Sequence, residues 1–261
     1  MINPSSLIIA GSDSSAGAGI QADLKTFSAH KIYASTVITA ITAQNTMGVD
    51  SVINIPNKMI EAQLKSISKD LNTSIIKIGM LSNASIIEVV SFCLKKYYPE
   101  IPIILDPVMV AKGGHSLLDI NSIETLKKEL FPKSFLITPN IPETEKILNV
   151  KIKNSEDMEF NLKKFDSMNI KNILLKGGHL ESNEIIDMLL AGKKIYKFVS
   201  SKIKTLNTHG TGCTLASAIA CYLFKGFNLY DSINNARKYV IKGIKRGHTI
   251  GNGHNPLNHF L

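Results

Sequence analysis

The sequence predicts a single α/β domain, built on a mostly parallel central sheet with helices on both faces and an antiparallel hairpin at one edge. Three observations support this prediction. Short runs rich in β-branched residues recur along the chain, amphipathic patterns separate them, and one pair of apolar runs flanks a short turn. No linker, low-complexity tract or internal repeat interrupts residues 1–261, so one domain is expected to span the chain.

Six short apolar runs have the length and composition of buried strands. They lie at residues 7–10, 34–42, 75–78, 103–105, 135–138 and 173–175. Helical periodicity fills several of the intervals: residues 57–71 place an apolar residue on one face at each turn, and residues 83–97 and 120–130 repeat the pattern. The alternation of strand and helix favours a parallel sheet covered on both sides.

Residues 185–204 break this rhythm. Two apolar runs, at 185–190 and 195–199, flank Ala191-Gly192-Lys193-Lys194, and such a pattern favours a tight turn between antiparallel strands. An antiparallel edge is therefore expected there.

Composition excludes several classes of protein. No apolar run approaches the roughly 18 residues of a membrane span, and the first residues lack the charged and apolar regions of a signal peptide. Cys93, Cys213 and Cys221 are an odd number without paired spacing, which suits a reducing compartment and excludes a disulfide framework or zinc clip. We expect a cytoplasmic protein with no membrane partner.

The net charge of +9 does not indicate nucleic acid as a partner. Arginine occurs only at Arg237 and Arg246, and the lysines are scattered without a basic block or interleaved aromatic residues. The excess charge is expected to be solvated surface that attracts anionic substrates.

The segment from Asn207 to Cys213 is the most informative part of the chain. Gly210 and Gly212 are spaced by one threonine and lead into an apolar run at 214–223, which predicts backbone amides crowded at a helix N-terminus. Cys213 falls at the helix start, where the dipole favours the thiolate. An anion hole and a proton acceptor would then share one turn. The alternative is a glycine turn beside a buried cysteine.

A second glycine-rich loop follows the first strand. Gly17-x-Gly19-x-x-Ala22 matches the dinucleotide fingerprint, but five residues separate it from Gly11, and no carboxylate closes the second strand before Asp50. A nicotinamide cofactor is therefore not expected. Asp23 in an opening helical turn and Gln44 at a strand end form a carboxylate and amide set suited to the edge of a heteroaromatic ring. Helix-dipole compensation and a solvated loop are the alternatives.

Three further strand ends carry charged residues. Asp106 follows the strand at 103–105, and Glu143 comes three residues after Asn140; such a carboxylate pair can hold Mg²⁺ directly or through water. Lys176 leaves a buried strand beside two glycines, where it would neutralise phosphate oxygens. No P-loop or protein-kinase motif occurs, so phosphoryl transfer here requires another architecture.

Together these motifs resemble a known family, the hydroxymethylpyrimidine/phosphomethylpyrimidine kinases of thiamine biosynthesis, which have a ribokinase-like fold. The resemblance covers nearly the whole chain in the same order. It rests on residues 17–23, Thr42-Ala43-Gln44-Asn45-Thr46, Lys77-Ile78-Gly79-Met80-Leu81, Asp106-Pro107-Val108-Met109, Asn140-x-x-Glu143, Lys176-Gly177-Gly178-His179, Gly210-Thr211-Gly212-Cys213 and residues 255–259. Cysteine at 213, together with Gln44, is typical of the pyrimidine branch and its close pyridoxal-kinase relatives.

The resemblance implies ATP-dependent phosphorylation of 4-amino-5-hydroxymethyl-2-methylpyrimidine and then of its monophosphate. The ring would lie against Met80 and Val108 in a pocket that includes Gly11, with Gln44 contacting the ring nitrogens and Asp23 as a further contact. At the phosphate end the resemblance implies four roles. Cys213 would accept the hydroxyl proton, amides of residues 210–213 would hold the transferring group, Thr208 and Thr211 would contact ATP phosphates, and Lys176 with Mg²⁺ on Asp106 and Glu143 would neutralise charge.

Two further expectations accompany this interpretation. Residues 112–116 are glycine-rich and would close over the site, and the family implies a homodimer. His248, His254 and His259 are interpreted as a polar terminal segment rather than a metal cluster.

Two other functions remain open at this point. A pyridoxal kinase of the same fold would phosphorylate a hydroxymethyl group on a different nitrogen ring. A non-enzymatic pyrimidine-binding protein is expected to lack Lys176, Glu143 or the anion hole, and all three are present.

Overall fold

The computed structural model describes residues 2–111, 113–115 and 117–261. Within these residues the chain forms one nine-stranded sheet and eight α-helices. The strands are β1 (Ser5–Asp13), β2 (Ala34–Gln44), β3 (Val49–Asn54), β4 (Thr73–Ile78), β5 (Ile103–Leu105), β6 (Leu136–Ile137), β7 (Asn172–Leu175), β8 (Glu184–Ala191) and β9 (Lys194–Ser201). The helices are α1 (Gly19–Ala29), α2 (Asn57–Ser68), α3 (Ala84–Tyr97), α4 (Ile123–Glu129), α5 (Ile141–Leu148), α6 (Ser155–Leu162), α7 (Thr211–Phe224) and α8 (Leu229–Lys245).

The strand order is β3-β2-β1-β4-β5-β6-β7-β8-β9. Every neighbouring pair from β2 to β7 is parallel, and β8 and β9 form an antiparallel hairpin at the edge. The predicted fold class is therefore confirmed. At the other edge β3 pairs antiparallel with β2, which the sequence analysis did not predict. This edge strand is mostly exposed and lacks the continuous apolar run that marks a buried strand.

Hydrophobic residues of the strands divide between two cores, one on each face of the sheet. In β1, Leu7 and Ile9 join the core covered by α2 to α6, whereas Ile8 and Ala10 join the core covered by α1, α7 and α8. This alternation follows from the two-residue period of a strand. The carboxyl ends of the parallel strands lie along one edge of the sheet, where polar residues follow them. No helix in the described part of the chain is long and apolar enough to cross a membrane.

Candidate active site

One large cavity opens at the carboxyl ends of the parallel strands, with a volume of about 1240 Å³. Its walls bring together residues that are far apart in the sequence. All but one of the site residues predicted from the sequence line this cavity: Gly11, Gln44, Met80, Asp106, Val108, Glu143, Lys176, Thr208, Gly210, Thr211, Gly212 and Cys213. The exception is Asp23.

The loop before α7, where the sequence predicts an anion hole, is a tight glycine turn that opens the helix. Gly210 is the N-cap of α7 with φ of +75°, a conformation that favours glycine, and a Cβ there would overlap the carbonyl oxygen of Gly17. The hydroxyl of Thr211 donates to the carbonyl of Thr208 at 3.0 Å and closes the turn. Because the first N–H groups of a helix have no acceptor within it, they direct donors and the positive end of the dipole at the cavity.

Asp13 organises the second glycine-rich loop. Its carboxylate accepts hydrogen bonds from the backbone N–H groups of Ser15, Gly17 and Ala18, at 2.8, 3.1 and 2.8 Å. Residues 13–19 therefore form a turn centred on the Asp13 carboxylate.

The same carboxylate joins the two glycine loops. His209 Nε2 lies 2.8 Å from Asp13 Oδ2, and both side chains are buried. Burial by itself would raise the pKa of Asp13, but hydrogen bonds from His209, Ser15 and Ala18 outweigh it and lower the pKa to about 2. Neither residue is among the site residues predicted from the sequence, although Asp13, like Asp106, is a carboxylate at the end of a buried strand.

Lys176, which is partly buried, and Asp106, which is buried, form an ion pair beside the start of α7. Lys176 Nζ lies 2.7 Å from Asp106 Oδ1, which also accepts from the hydroxyl of Thr138 at 2.9 Å. A Cβ added to Gly212 would lie 3.5 Å from Lys176 Nζ and 3.6 Å from Asp106 Oδ2. The amides at the start of α7 and this ion pair thus face the same small volume.

Glu143 completes the charged group beside this pair. It forms a capping box with Asn140 at the start of α5, in which Glu143 Oε2 accepts the Asn140 N–H at 2.8 Å. Burial raises the pKa of Glu143 to about 7, an effect that Lys176 opposes and Asp106 reinforces. With a pKa near 7, Glu143 is only partly ionised at neutral pH, and a cation bound beside it would favour its carboxylate form.

The carboxylates fit a hydrated magnesium ion better than a cage of protein ligands. Among the described residues no group of three or more His, Cys, Asp or Glu side chains is arranged to hold a metal. Asp106 uses Oδ1 for Lys176 and Thr138, while Oδ2 is turned toward Gly212. Mg²⁺ commonly keeps several waters and binds through one or two carboxylates together with substrate phosphates. Asp106 and Glu143 match that donor set.

Asp23 does not contact the cavity, which corrects the prediction that it binds substrate. It lies in α1 with a fully buried side chain, and Lys77 Nζ lies 2.7 Å from its Oδ2. The hydroxyl of Ser217 donates to Asp23 Oδ1 at 2.7 Å. Both carboxylate oxygens are therefore engaged beneath α7. Burial lowers the pKa of Lys77, but Asp23 together with Cys213 and Asp106 outweighs this effect and raises the pKa above its usual value, so the ammonium stays charged.

Cys213 lies at the start of α7 as predicted, but its ionisation is the opposite of what the helix position suggested. Burial raises the pKa of the thiol to about 12; Lys77 opposes this shift, and Asp23 and Asp106 reinforce it. The backbone N–H of Gly19 forms a hydrogen bond with the thiol. The prediction of an easily ionised thiol is wrong because desolvation outweighs the helix dipole.

Gln44 ends β2 with a half-buried side chain that faces the cavity. The hydroxyl of Thr42 donates to Gln44 Oε1 at 3.2 Å, and Gln44 Nε2 lies 3.5 Å from His209 Nε2. Gly11 and Met80 share this wall, and a Cβ at Gly11 would come within 2.8 Å of Met80 Sδ. The absence of a side chain at Gly11 therefore makes room for Met80.

The glycine-rich segment at 112–116 is only partly described, because Lys112 and Ser116 lie outside the described residues. Gly114 lines the cavity.

The C-terminal histidines form no metal cluster in the described chain. His259 instead packs against the start of α7, with Nε2 3.0 Å from the hydroxyl of Thr214, and burial lowers its pKa to about 4. The carbonyl of Asn255 accepts the backbone N–H of His209 at 3.0 Å. The terminal segment thus braces the loop that carries the anion hole.

Comparison with known proteins shows the family to which the chain is similar. A family model described as phosphomethylpyrimidine kinase matches residues 13–258. Hydroxymethylpyrimidine/phosphomethylpyrimidine kinase of Bacillus subtilis (strain 168) is 40% identical over 255 residues, covering 97% of this chain and 94% of that protein. The thiamine biosynthesis bifunctional protein ThiED of Geobacter sulfurreducens is 43% identical over 98% of this chain. The match covers 52% of ThiED, so this chain spans about half the length of that relative.

Solved structures show the same fold. The ADP complex of Bacillus subtilis pyridoxal kinase superposes with a TM-score of 0.90 at 32% identity, covering 99% of this chain and 98% of that one. Phosphomethylpyrimidine kinase from Clostridium difficile 630 gives a TM-score of 0.81 at 42% identity, covering 94% of this chain and 100% of that one. The ribokinase-like fold implied by the sequence resemblance is confirmed.

Proposed function

This chain belongs to the phosphomethylpyrimidine kinase family, and we propose that it phosphorylates two pyrimidines in succession for thiamine biosynthesis. The γ-phosphoryl group of ATP passes first to the hydroxymethyl group of 4-amino-5-hydroxymethyl-2-methylpyrimidine and then to the monophosphate that results. The observation that carries this proposal is that the Lys176–Asp106 pair lies within about 3.6 Å of the position a Cβ on Gly212 would occupy, so it meets the proposed anion hole in a cavity that Gln44 also lines. Donors and charge for phosphate and an amide for a nitrogen ring are thus found in one cavity.

In the first phosphorylation the acceptor oxygen forms a bond to the γ-phosphorus while the bond from that phosphorus to the bridging oxygen of ADP breaks. The amides of residues 210–213 hold the transferring group, Thr208 and Thr211 contact the phosphates, and Lys176 neutralises charge. Magnesium held through Asp106 and Glu143 would supply further charge neutralisation when bound. The transition state of such a transfer is loose, so positioning and charge account for most of the catalysis.

Cys213 is the proposed acceptor of the hydroxyl proton. Burial raises the pKa of its thiol to about 12, so Cys213 is protonated at neutral pH and takes the hydroxyl proton only as its own S–H proton passes to an oxygen of the transferring phosphoryl group. A loose transition state tolerates such a relay after the new oxygen–phosphorus bond has begun to form, since it asks little of a base.

The second phosphorylation has a different proton balance. A phosphate monoester has a second pKa of about 6, so at neutral pH its attacking oxygen carries no proton that must be removed. The cavity volume of about 1240 Å³ exceeds the roughly 300–1,000 Å³ of a typical small-molecule pocket, so it has room for ATP and a phosphorylated pyrimidine together.

Gln44 is proposed to recognise the pyrimidine ring through hydrogen bonds, and Met80, Val108 and Gly11 would form the wall beside the ring. A buried amide that pairs with ring nitrogens discriminates well against rings that cannot match it, because the mismatch leaves polar groups unpaired.

The test is phosphate transfer from ATP to each pyrimidine in turn, followed by identification of the monophosphate and diphosphate products. Pyridoxal is the necessary comparison substrate, because a pyridoxal kinase matches this fold with a TM-score of 0.90. We expect both pyrimidines to be converted with a higher kcat/KM than pyridoxal. A strong preference for pyridoxal would contradict the proposed specificity while leaving the kinase chemistry intact.

We further propose that the enzyme is a cytoplasmic homodimer. Its three cysteines are all free, which suits a reducing compartment. Ile41 of β2, Ile53 of β3 and Met47 in the turn between them are substantially exposed, and such apolar surface is typical of an interface between protein chains. Light scattering is expected to give twice the monomer mass; a monomer mass would refute the dimer.

A further inference from the structure

A buried ion pair beneath Cys213 has no role in the reaction derived above. Lys77 Nζ lies 2.7 Å from Asp23 Oδ2, and the Ser217 hydroxyl donates to Asp23 Oδ1 at 2.7 Å. Lys77, Asp23 and Ser217 are all 0% exposed. Ser217 follows Cys213 by four residues on α7, so the two side chains lie on the same face of the helix. The ion pair therefore sits directly below the turn that carries the thiol.

The stability of the fold does not explain this arrangement. A buried ion pair generally stabilises a protein no better than apolar side chains of similar volume, because both charges must be desolvated. Lys77 lies in β4 on the same face as Ile75. Its neighbours on the adjacent strands, Ile8 and Ile104, are apolar and belong to the core under α1 and α7. An aliphatic residue at 77 would continue that core.

The position of the ammonium group suggests a different role. A Cβ added to Gly79 would come within 2.9 Å of Lys77 Nζ. Lys77, Gly79 and Cys213 all line the cavity. The missing side chain of Gly79 thus leaves the buried ammonium at the cavity wall, next to the thiol proposed to receive the acceptor's proton.

We propose that Lys77 is a positioning residue that places a fixed positive charge behind the acceptor end of the cavity, where it stabilises negative charge on the attacking oxygen. Asp23 holds the ammonium through its Oδ2, and the Ser217 hydroxyl in turn holds Asp23 through Oδ1. The other charged or titratable groups around this point are Asp106 after β5, Lys176 after β7 and Cys213 on α7. Lys176 is paired with Asp106 at the anion hole, so the two lysines serve opposite partners of the transfer.

This inference rests on the proposed function, and the two acceptors give it a distinctive signature. The hydroxymethyl group is neutral when it binds and becomes negative only as it reacts, so loss of a fixed cation lowers kcat and spares KM. The monophosphate is already negative when it binds, so the same loss weakens its binding and raises KM. A purely structural role for Lys77 would impair both acceptors in the same way.

The experiment uses the double variant Lys77→Met/Asp23→Asn, which removes both charges without leaving either one buried alone. With the hydroxymethyl pyrimidine we expect kcat to fall by roughly 10- to 100-fold, with little change in KM. With the monophosphate we expect KM to rise by about tenfold, and the Kd measured by calorimetry without ATP to weaken by the same factor. Lys197→Met, which removes the half-exposed lysine 2.7 Å from Glu159, is the matched control and should change neither acceptor.

Equal losses of kcat with both acceptors and an unchanged Kd for the monophosphate would overturn the inference, as would full activity of the double variant. If circular dichroism shows that the double variant is unfolded, Ser217→Ala removes one tether of Asp23 and keeps both charges. It should show the same split between kcat and KM at smaller size, and the absence of that split would also overturn the inference. A wild-type enzyme inactive on both pyrimidines would refute the proposed function and this inference together.

Discussion

Gly210 lies so close to Gly17 that a Cβ at position 210 would overlap the carbonyl oxygen of Gly17. Gly210 also has φ of +75°, which disfavours any side chain. The anion hole at the start of α7 is therefore shaped by contact with the loop after β1, and its geometry depends on the absence of one methyl group.

Gly210→Ala should lower kcat/KM by about 10²- to 10³-fold, because the displaced amides no longer face the transferring phosphoryl group. The matched control is Gly226→Ala, at a glycine with φ of +87° and no atom within 4 Å of its added Cβ. That control should lose about 1–2 kcal/mol of unfolding free energy, from the left-handed conformation alone, and retain its turnover. Steady-state kinetics and chemical denaturation separate the two effects. Equal activity of the two variants would show that the contact with Gly17 is unimportant.

Cys213→Ala should lower kcat for the hydroxymethyl pyrimidine by a factor on the order of 10² and leave the affinity for ATP nearly unchanged. Turnover of the monophosphate should be much less affected, because its attacking oxygen has no proton to lose at neutral pH. Cys93→Ala, at a buried cysteine in the opposite core, is the control for loss of a thiol. Full activity of Cys213→Ala on the hydroxymethyl acceptor would reduce the residue to a pocket filler.

Gln44→Leu keeps the approximate bulk of the side chain but removes its hydrogen-bonding groups. An unpaired buried polar atom costs about 1–3 kcal/mol, so the KM for the pyrimidine should rise about tenfold or more. The KM for ATP should hardly move. The variant is best assayed with both substrates varied; an equal rise in both Michaelis constants would mean that Gln44 supports the loop rather than contacting the ring.

Asp13 is expected to make the free energy of unfolding depend on pH under acidic conditions. Its pKa of about 2 in the folded protein lies below its usual value of 3.8, so the folded state binds fewer protons than the unfolded state between these values. Its contribution is complete above about pH 4 and is lost as the pH falls toward 2; a shift of this size is worth about 2–3 kcal/mol. Asp13→Asn should lose about that much at pH 7. In denaturant titrations the difference between wild type and variant should shrink as the pH falls, and a constant difference would contradict this account.

The strands were predicted where local sequence decides the structure. The β-branched run at 75–78 and the two apolar runs on either side of Gly192 are strong local signals, and the structure has strands at all three places. β3 depends instead on pairing with β2, which its polar, exposed sequence does not reveal. An edge strand is stabilised largely by its neighbour's backbone, so a search for apolar runs passes over it.

The same contrast holds in the site: features set by nearby residues were predicted, and features set by residues far away in the chain were not. Residue types at strand ends identified Asp106, Lys176 and Gln44, because parallel strands bring their carboxyl ends to one edge. Asp23 was misplaced since its partner Lys77 is 54 residues away, and the opening turn of a helix gives no sign of a fully buried ion pair. The ionisation of Cys213 was predicted from the helix dipole, a local effect, whereas burial by the whole fold decides it.

The hydrogen bond between Asp13 and His209 spans 196 residues of chain. Ribosomes make the N-terminal end first, so the turn centred on Asp13 emerges long before the histidine that completes it. The terminal segment that braces His209 through Asn255 emerges later still. Contacts of such high sequence separation form slowly, because a long loop must close before they contribute. A nascent chain thus has most of its sheet before it has a place for nucleotide phosphates, and ATP can stabilise only the finished polypeptide against unfolding.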